Sequence, residues 1–208
     1  RDASATHTVY LARLWARQAT IRLLTRDIDL RSVETDAAMV LPARDGDKGI
    51  LYAYPGEQEE RWTALREVWG EWGTSEIVYD DRGEVLLFLF RMPAERRPPL
   101  GGAEALVVDH GFPLTDLMPT DARFDAPIRL LGYSAARTPD ADGRLEVILI
   151  WEALAEMDGD YTAYVHVLDD RGRRWGQADR RPGRGSYPTD TWRVGDVIID
   201  RFQVDLDP

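Results

Sequence analysis

Apolar positions along this chain recur at a helical spacing in places in the first ninety residues and only at strand spacing beyond them. Residues 8–11 read as a short strand. Over 14–24 the apolar positions Leu14, Ala19, Ile21 and Leu24 fall three or four apart with arginines between them, which predicts a helix. Apolar runs at 37–41 and 50–54 predict neighbouring strands, with Asp45-Gly46-Asp47 able to turn a hairpin between them. The clearest helix is predicted over 57–72. Trp62, Leu65, Trp69 and Trp72 share one face that can bury against a sheet, and core packing explains them better than a sugar or lipid site. Glu57, Glu59 and Glu60 suit the positive end of its dipole, and Gly70 and Gly73 offer places to stop. Strands at 76–79 and 85–90, joined by Asp80-Asp81-Arg82-Gly83, complete a small α/β unit.

Pro93, Pro98, Pro99, Gly101 and Gly102 then mark a stiff joint with turning points. Past it no helix of useful length is expected. Strands are predicted over 105–108, 128–134, 145–151, 161–168 and 197–206, with turn-rich pieces at 139–143, 158–160, 169–172 and 182–185. Leu145, Val147, Leu149 and Trp151 project to one face while Glu146 and Glu152 bracket the other. The expected organisation is a small α/β domain over 1–92, a Pro/Gly-rich linker over 93–103, and an all-β antiparallel sandwich, jelly-roll or immunoglobulin-like, over 104–208. The tetrapeptide Asp-Asp-Arg-Gly at 80–83 and 169–172 reads as reused hairpin chemistry.

Composition narrows the partners. The chain has 208 residues, 44% hydrophobic and 30% charged, which suits a folded protein and excludes wholesale disorder. No apolar run approaches the roughly 20 residues needed to cross a bilayer as a helix. The net charge is −11, with −4 up to Met92 and −7 after it, so a phosphate backbone or an anionic lipid surface would be repelled and no nucleic-acid partner is expected. The arginine clusters 171, 173, 174 and 180, 181, 184 sit beside Asp169, Asp170 and Asp179 and read as a solvated face. Cysteine is absent, which removes disulfides and thiol chemistry. Asparagine is absent too, and Lys48 stands alone against 25 arginines, a bias that suits a heat-adapted source or a GC-rich genome. The opening Arg1-Asp2 reads as an excised or processed fragment.

Candidate chemistry is sparse. His7, His110 and His166 fall in no metal-binding pattern, and His166 reads as a packed strand residue. Gly183-Arg184-Gly185 lacks the strand, helix and lysine of a phosphate loop and reads as a turn. Asp158 with Asp160, and Asp140 with Asp142, could in principle ligate calcium or hydrolyse a glycoside, but neither pair continues as a calcium loop. No catalytic residue, metal site or cofactor is therefore expected. Trp175, Tyr187 and Trp192 flank polar turns and are the candidate ligand-binding residues, a stacking platform for a sugar ring, against the alternative that they plug the ends of the fold.

The stretches Ile128-Arg129-Leu130-Leu131-Gly132-Tyr133, Leu149-Ile150-Trp151 and Asp160-Tyr161-Thr162-Ala163-Tyr164-Val165-His166-Val167-Leu168 carry a family pattern. It continues through Gln177-Ala178-Asp179, Tyr187-Pro188-Thr189-Asp190-Thr191-Trp192, Gly195-Asp196-Val197 and Asp200-Arg201-Phe202. Together they resemble the soluble extracytoplasmic C-terminal region of bacterial polytopic glycosyltransferases of the protein-mannosyltransferase-like, Chloroflexi type. Ala37-Ala38-Met39-Val40-Leu41-Pro42 and Leu51-Tyr52-Ala53-Tyr54-Pro55 resemble the α/β segment that precedes that region. The resemblance implies a non-catalytic accessory module on the outer face of the cell membrane, as part of a membrane-anchored protein. It would position a glycan or glycolipid acceptor or brace the membrane domain of the same polypeptide. The catalytic acids of such enzymes lie in the membrane part. The family also continues past the position of Pro208 with a further strand-forming stretch. Two other readings compete with this one: a carbohydrate-binding module with an exposed coplanar aromatic pair, and a glycoside hydrolase with two acids in a cleft.

Overall fold

A computed structural model describes residues 7–12, 30–33, 37–43, 48–96 and 117–207, and the chain is predominantly β. It forms two compact units: Arg1–Thr35 with Arg44–Pro113, and Asp36–Ala43 with Leu114–Pro208. The helix expected over 14–24, the strand expected over 105–108, most of the linker and His110 lie outside the described residues.

The first unit is a mixed five-stranded sheet. Strands β1 (His7–Ala12), β2 (Leu30–Val33) and β4 (Gly49–Pro55) are parallel neighbours, and β6 (Val85–Met92) and β5 (Thr74–Tyr79) add antiparallel to β4, giving the order β2-β1-β4-β6-β5. Tyr10, Tyr52 and Phe90 lie directly opposite one another across three strands, with Tyr54 opposite Phe88, so one face of the sheet is aromatic. Helix α1 (Glu59–Trp69) lays Trp62, Leu65 and Trp69 on this unit's core. Trp62 stacks on Phe88 at 4.7 Å, Trp69 meets Tyr52 at 5.7 Å, and the Trp62 indole donates to the Leu89 carbonyl at 3.1 Å. The regular helix is shorter than expected. Gly56–Gln58 and Gly70–Trp72 are 3-10 turns at its two ends, and Trp72 is only half-buried, because the helical register breaks at Gly70 before a fourth tryptophan can join the stripe.

The second unit holds β3 (Ala38–Leu41), β7 (Met118–Arg123), β8 (Ile128–Ala135), β9 (Arg144–Ala153), β10 (Ala163–Leu168), β11 (Arg174–Arg180) and β12 (Val197–Leu206). They run in the order β10-β11-β12-β9-β8-β7, all antiparallel, with β3 added to β12. The sheet curls into a half-barrel. The described strands of this unit join edge to edge along one path.

Strand β3 corrects the expected hairpin of 37–41 with 50–54. Ala38–Leu41 pairs with Val197–Asp200, 150 and more residues later in the chain. Its Ala38, Val40 and Leu41 are buried there, beside the apolar half of β12. Strands β2, β7 and β11 escape the hydrophobic pattern because they carry few apolar residues. The sequence of β11, Arg-Trp-Gly-Gln-Ala-Asp-Arg, has no alternation to read. Its Gly176 is required by packing, since a Cβ there would lie 2.4 Å from the Asp205 carbonyl oxygen of β12.

Three hairpins close with one device. At Asp80, Asp140 and Asp169 the side-chain Oδ1 accepts the backbone N–H groups two and four residues on, at 2.8–3.0 Å. The glycine three residues on, Gly83, Gly143 or Gly172, takes φ between 74° and 82°. The reused-hairpin reading of Asp-Asp-Arg-Gly is therefore correct, and Asp140-Ala141-Asp142-Gly143 is a third instance. The N–H donors, with that of Arg144 first for Asp140 and that of Arg173 first for Asp169, hold both carboxyls below the usual carboxylate range.

Two glycines of the first unit separate turn geometry from helix propensity. Gly83→Ala meets no atom within 4 Å but must hold a positive φ, so it should destabilise the unit by about 1 kcal/mol. Gly70→Ala sits in open space at φ −56°, and should be neutral or stabilising by up to about 1 kcal/mol through the unfolded chain. Denaturant midpoints of the two variants should therefore move in opposite directions, or the second not at all.

Candidate functional site

Strand β12 sets what the concave face of the half-barrel can offer. Ile198, Asp200, Phe202 and Val204 lie directly opposite Trp151, Leu149, Val147 and Leu145 of β9, and opposite residues in an antiparallel pair share a face. The curl brings residues of β8 and β10 around this face to enclose a cavity of about 560 Å³. Leu130, Val147, Leu149, Trp151, Val165 and Trp192 line it, and no carboxylate does among the described residues. Half-exposed Phe124 meets Trp151 at 5.9 Å beside it. Such a volume is in the range of small-molecule sites, roughly 300–1,000 Å³.

The three residues singled out in the sequence part company. Tyr187 and Trp192 are each only 3% exposed and stack on one another at 6.4 Å. The Tyr187 hydroxyl donates to Asp196 Oδ2 at 2.9 Å, and the Trp192 indole donates to the Tyr187 carbonyl at 3.0 Å. Asp196, wholly buried, also accepts the backbone N–H of Ala43 at 2.9 Å and of Arg193 at 2.9 Å. This pair plugs the loop before β12, and only Trp192 reaches the cavity. Trp175 is 41% exposed, its indole donating to Asp169 Oδ2 at 3.3 Å and its ring covered by the Arg173 guanidinium at 4.8 Å. The exposed coplanar pair does not form among these three, because the Tyr-Pro-Thr-Asp-Thr-Trp loop turns inward onto Asp196.

The carboxylate pairs weighed for metal or hydrolytic chemistry are occupied structurally. Asp140 holds its turn and pairs with Arg144, and Arg144 also bonds Asp142 at 2.5 Å. Asp158 accepts the Tyr161 hydroxyl at 2.9 Å, while Asp160 accepts the Thr189 N–H at 3.2 Å and pairs with Arg181 at 3.0 Å. No cluster of three or more His, Asp or Glu at ligand spacing occurs among the described residues. Pro182–Gly185 is a 3-10 turn in which the Gly183 N–H is already donated to a carboxylate of the chain itself.

That carboxylate belongs to Asp200, the ionisable group missed in the sequence. It is wholly buried in the run Val197-Ile198-Ile199-Asp200, and its Oδ1 accepts Arg180 Nη2 at 3.0 Å and the Gly183 N–H at 3.1 Å. The Arg180 guanidinium also lies 3.8 Å over the Phe202 ring. A single acid inside an apolar strand was the available signal. Burial pushes the Asp200 carboxyl above the usual carboxylate range, and Arg180 offsets that only in part.

An acid whose pKa is raised on folding favours the folded state below its unfolded pKa and loses that advantage as pH climbs through the raised value. Asp200→Asn removes this dependence. From about pH 3 to about pH 7 the stability difference should shift progressively in favour of the variant, read as denaturation midpoints for both proteins across that range. A difference that stays flat or shifts the other way would mean that Arg180 outweighs burial. Comparison with protein-family models, with curated proteins and with solved structures finds no match for this chain.

Proposed function

We infer that this chain is a non-catalytic accessory module of a membrane glycosyltransferase-like protein, displayed on the extracytoplasmic side, and that its second unit holds the lipid portion of a glycolipid acceptor. The observation that carries this reading is the apolar cavity of the half-barrel, about 560 Å³ with no carboxylate in its lining among the described residues. An isoprenoid or acyl chain gains by leaving water for such walls at about 25 cal/mol per Å² of apolar surface, whereas a bare sugar would leave its hydroxyls without partners there. The acids that a hydrolase would need are engaged in turns and ion pairs. A jelly-roll-like arrangement is the finer form of the fold that goes with this reading, with β8 and β9 as one wall, β10 and β11 as the other, and the chain of the ligand between them.

Farnesol and farnesyl phosphate are suitable probes, because Trp151 and Trp192 line the cavity and report on its contents. Titration should give a saturable change in tryptophan fluorescence with one site per chain. Leu130→Arg places a charge in the cavity from a half-buried position and should weaken binding by about tenfold or more, with circular dichroism unchanged. Absence of saturable binding, or a Leu130→Arg variant that binds as well as the parent, would refute the assignment.

A further inference from the structure

The β10–β11 hairpin carries a second, exposed surface, two of whose residues, Tyr164 and His166, also border the cavity. Tyr164 and His166 lie directly opposite Asp179 and Gln177, so the four share one face, and at its far end the register shifts between Val167 and Leu168, leaving Trp175 as an extra residue beside Leu168. Tyr164 is 71% exposed, and Leu168 and Trp175 are exposed as well. The middle of the face is polar and self-organised: His166 Nε2 lies 3.6 Å from Asp179 Oδ1, and the Gln177 amide donates to Asp179 Oδ2 at 3.2 Å. The Tyr164 and His166 rings are 5.3 Å apart. At the other end Trp175 is held in place by its bond to Asp169 and by Arg173 over its ring. Four steps of strand separate Tyr164 from Leu168, so the two ends of the face stand about 13 Å apart.

We propose that this face, with Tyr164 and Trp175 at its ends and His166, Gln177 and Asp179 between them, is a binding surface for a neutral oligosaccharide. A pyranose is amphipathic, with apolar C–H faces that lie on aromatic rings and hydroxyls at its edge, and the face alternates in the same way. A purely apolar partner would strip water from Asp179, His166 and Gln177 without replacing their hydrogen bonds. Charge selects among sugars: a carboxylate stands at the centre and the chain carries −11, which repels sulfated, phosphorylated or uronic chains and leaves neutral ones. The side chains of Asp179 and Gln177 can accept sugar hydroxyls, and His166 can donate or accept. The surface deepens the function inferred above by giving the sugar of the acceptor its own place. It rests on that reading for the joining of sugar to lipid, and the face itself stands on the exposure and hydrogen bonding of its residues.

Lipid-free trisaccharides separate the two. Mannotriose, cellotriose and maltotriose are titrated into the whole chain by calorimetry and by ¹H–¹⁵N correlation spectra of the tryptophan indoles. At least one should bind with a Kd below about 10 mM, and its signature should be movement of the Trp175 indole resonance. Tyr164→Ala and Trp175→Ala, both at exposed positions, should each weaken binding by about two- to tenfold, and Asp179→Ala should weaken it as well. Failure of all three sugars to bind, or binding that survives loss of both aromatic side chains, overturns the proposal. Sugar binding without farnesol binding would refute the cavity reading alone and leave this surface standing.

Discussion

The second unit depends on the pairing of β12 with β9, which runs unbroken from Val197 opposite Glu152 to Asp205 opposite Arg144. Because β12 is longer than any strand on its other side, that other edge is divided. Val197–Asp200 takes β3, and Asp205 and Leu206 take β11. The right-handed twist of strands carries the sheet round as it extends from this pairing.

Asp200 marks the junction. It sits at the end of the β3-paired half of β12, where the chain of β11 ends and turns through Pro182–Gly185, and its carboxylate ties Arg180 and Gly183 to the strand. A buried ion pair of this kind contributes little net stability compared with apolar residues of the same shape, since desolvation offsets the attraction. Its value is positional: it fixes where the turn lies, and Arg180 at the same time covers the Phe202 ring. Asp196 does the same for the opposite end of the loop through Ala43, Tyr187 and Arg193. Two buried acids thus fasten the segment between β11 and β12 that carries Trp192.

The charged residues divide by place. Those at hairpin tips accept backbone N–H groups and set turn geometry, those inside hold loops, and those on the β10–β11 face lie between exposed aromatic side chains. Along β10, Tyr164, Val165 and His166 all border the cavity, and Tyr164 is at the same time largely open to solvent.

Some of this is decided locally and is legible without a structure. Trp62, Leu65 and Trp69 declare the buried face of α1 because helical spacing is a property of a few consecutive residues. The Asp-x-x-Gly turns declare themselves because every hydrogen bond that makes them lies within five residues. The cavity wall on β9 is likewise written in the alternation of Leu145, Val147, Leu149 and Trp151. What no local pattern contains is which strand lies beside which. An apolar run such as Ala38–Leu41 fits any apolar edge, and its partner β12 was chosen by the burial available there rather than by nearness in the chain. The same reason separated Tyr187 and Trp192 from Trp175: all three flank polar turns in the sequence, but only the tertiary fold supplied a buried carboxylate for the first two to close upon and left the third in water.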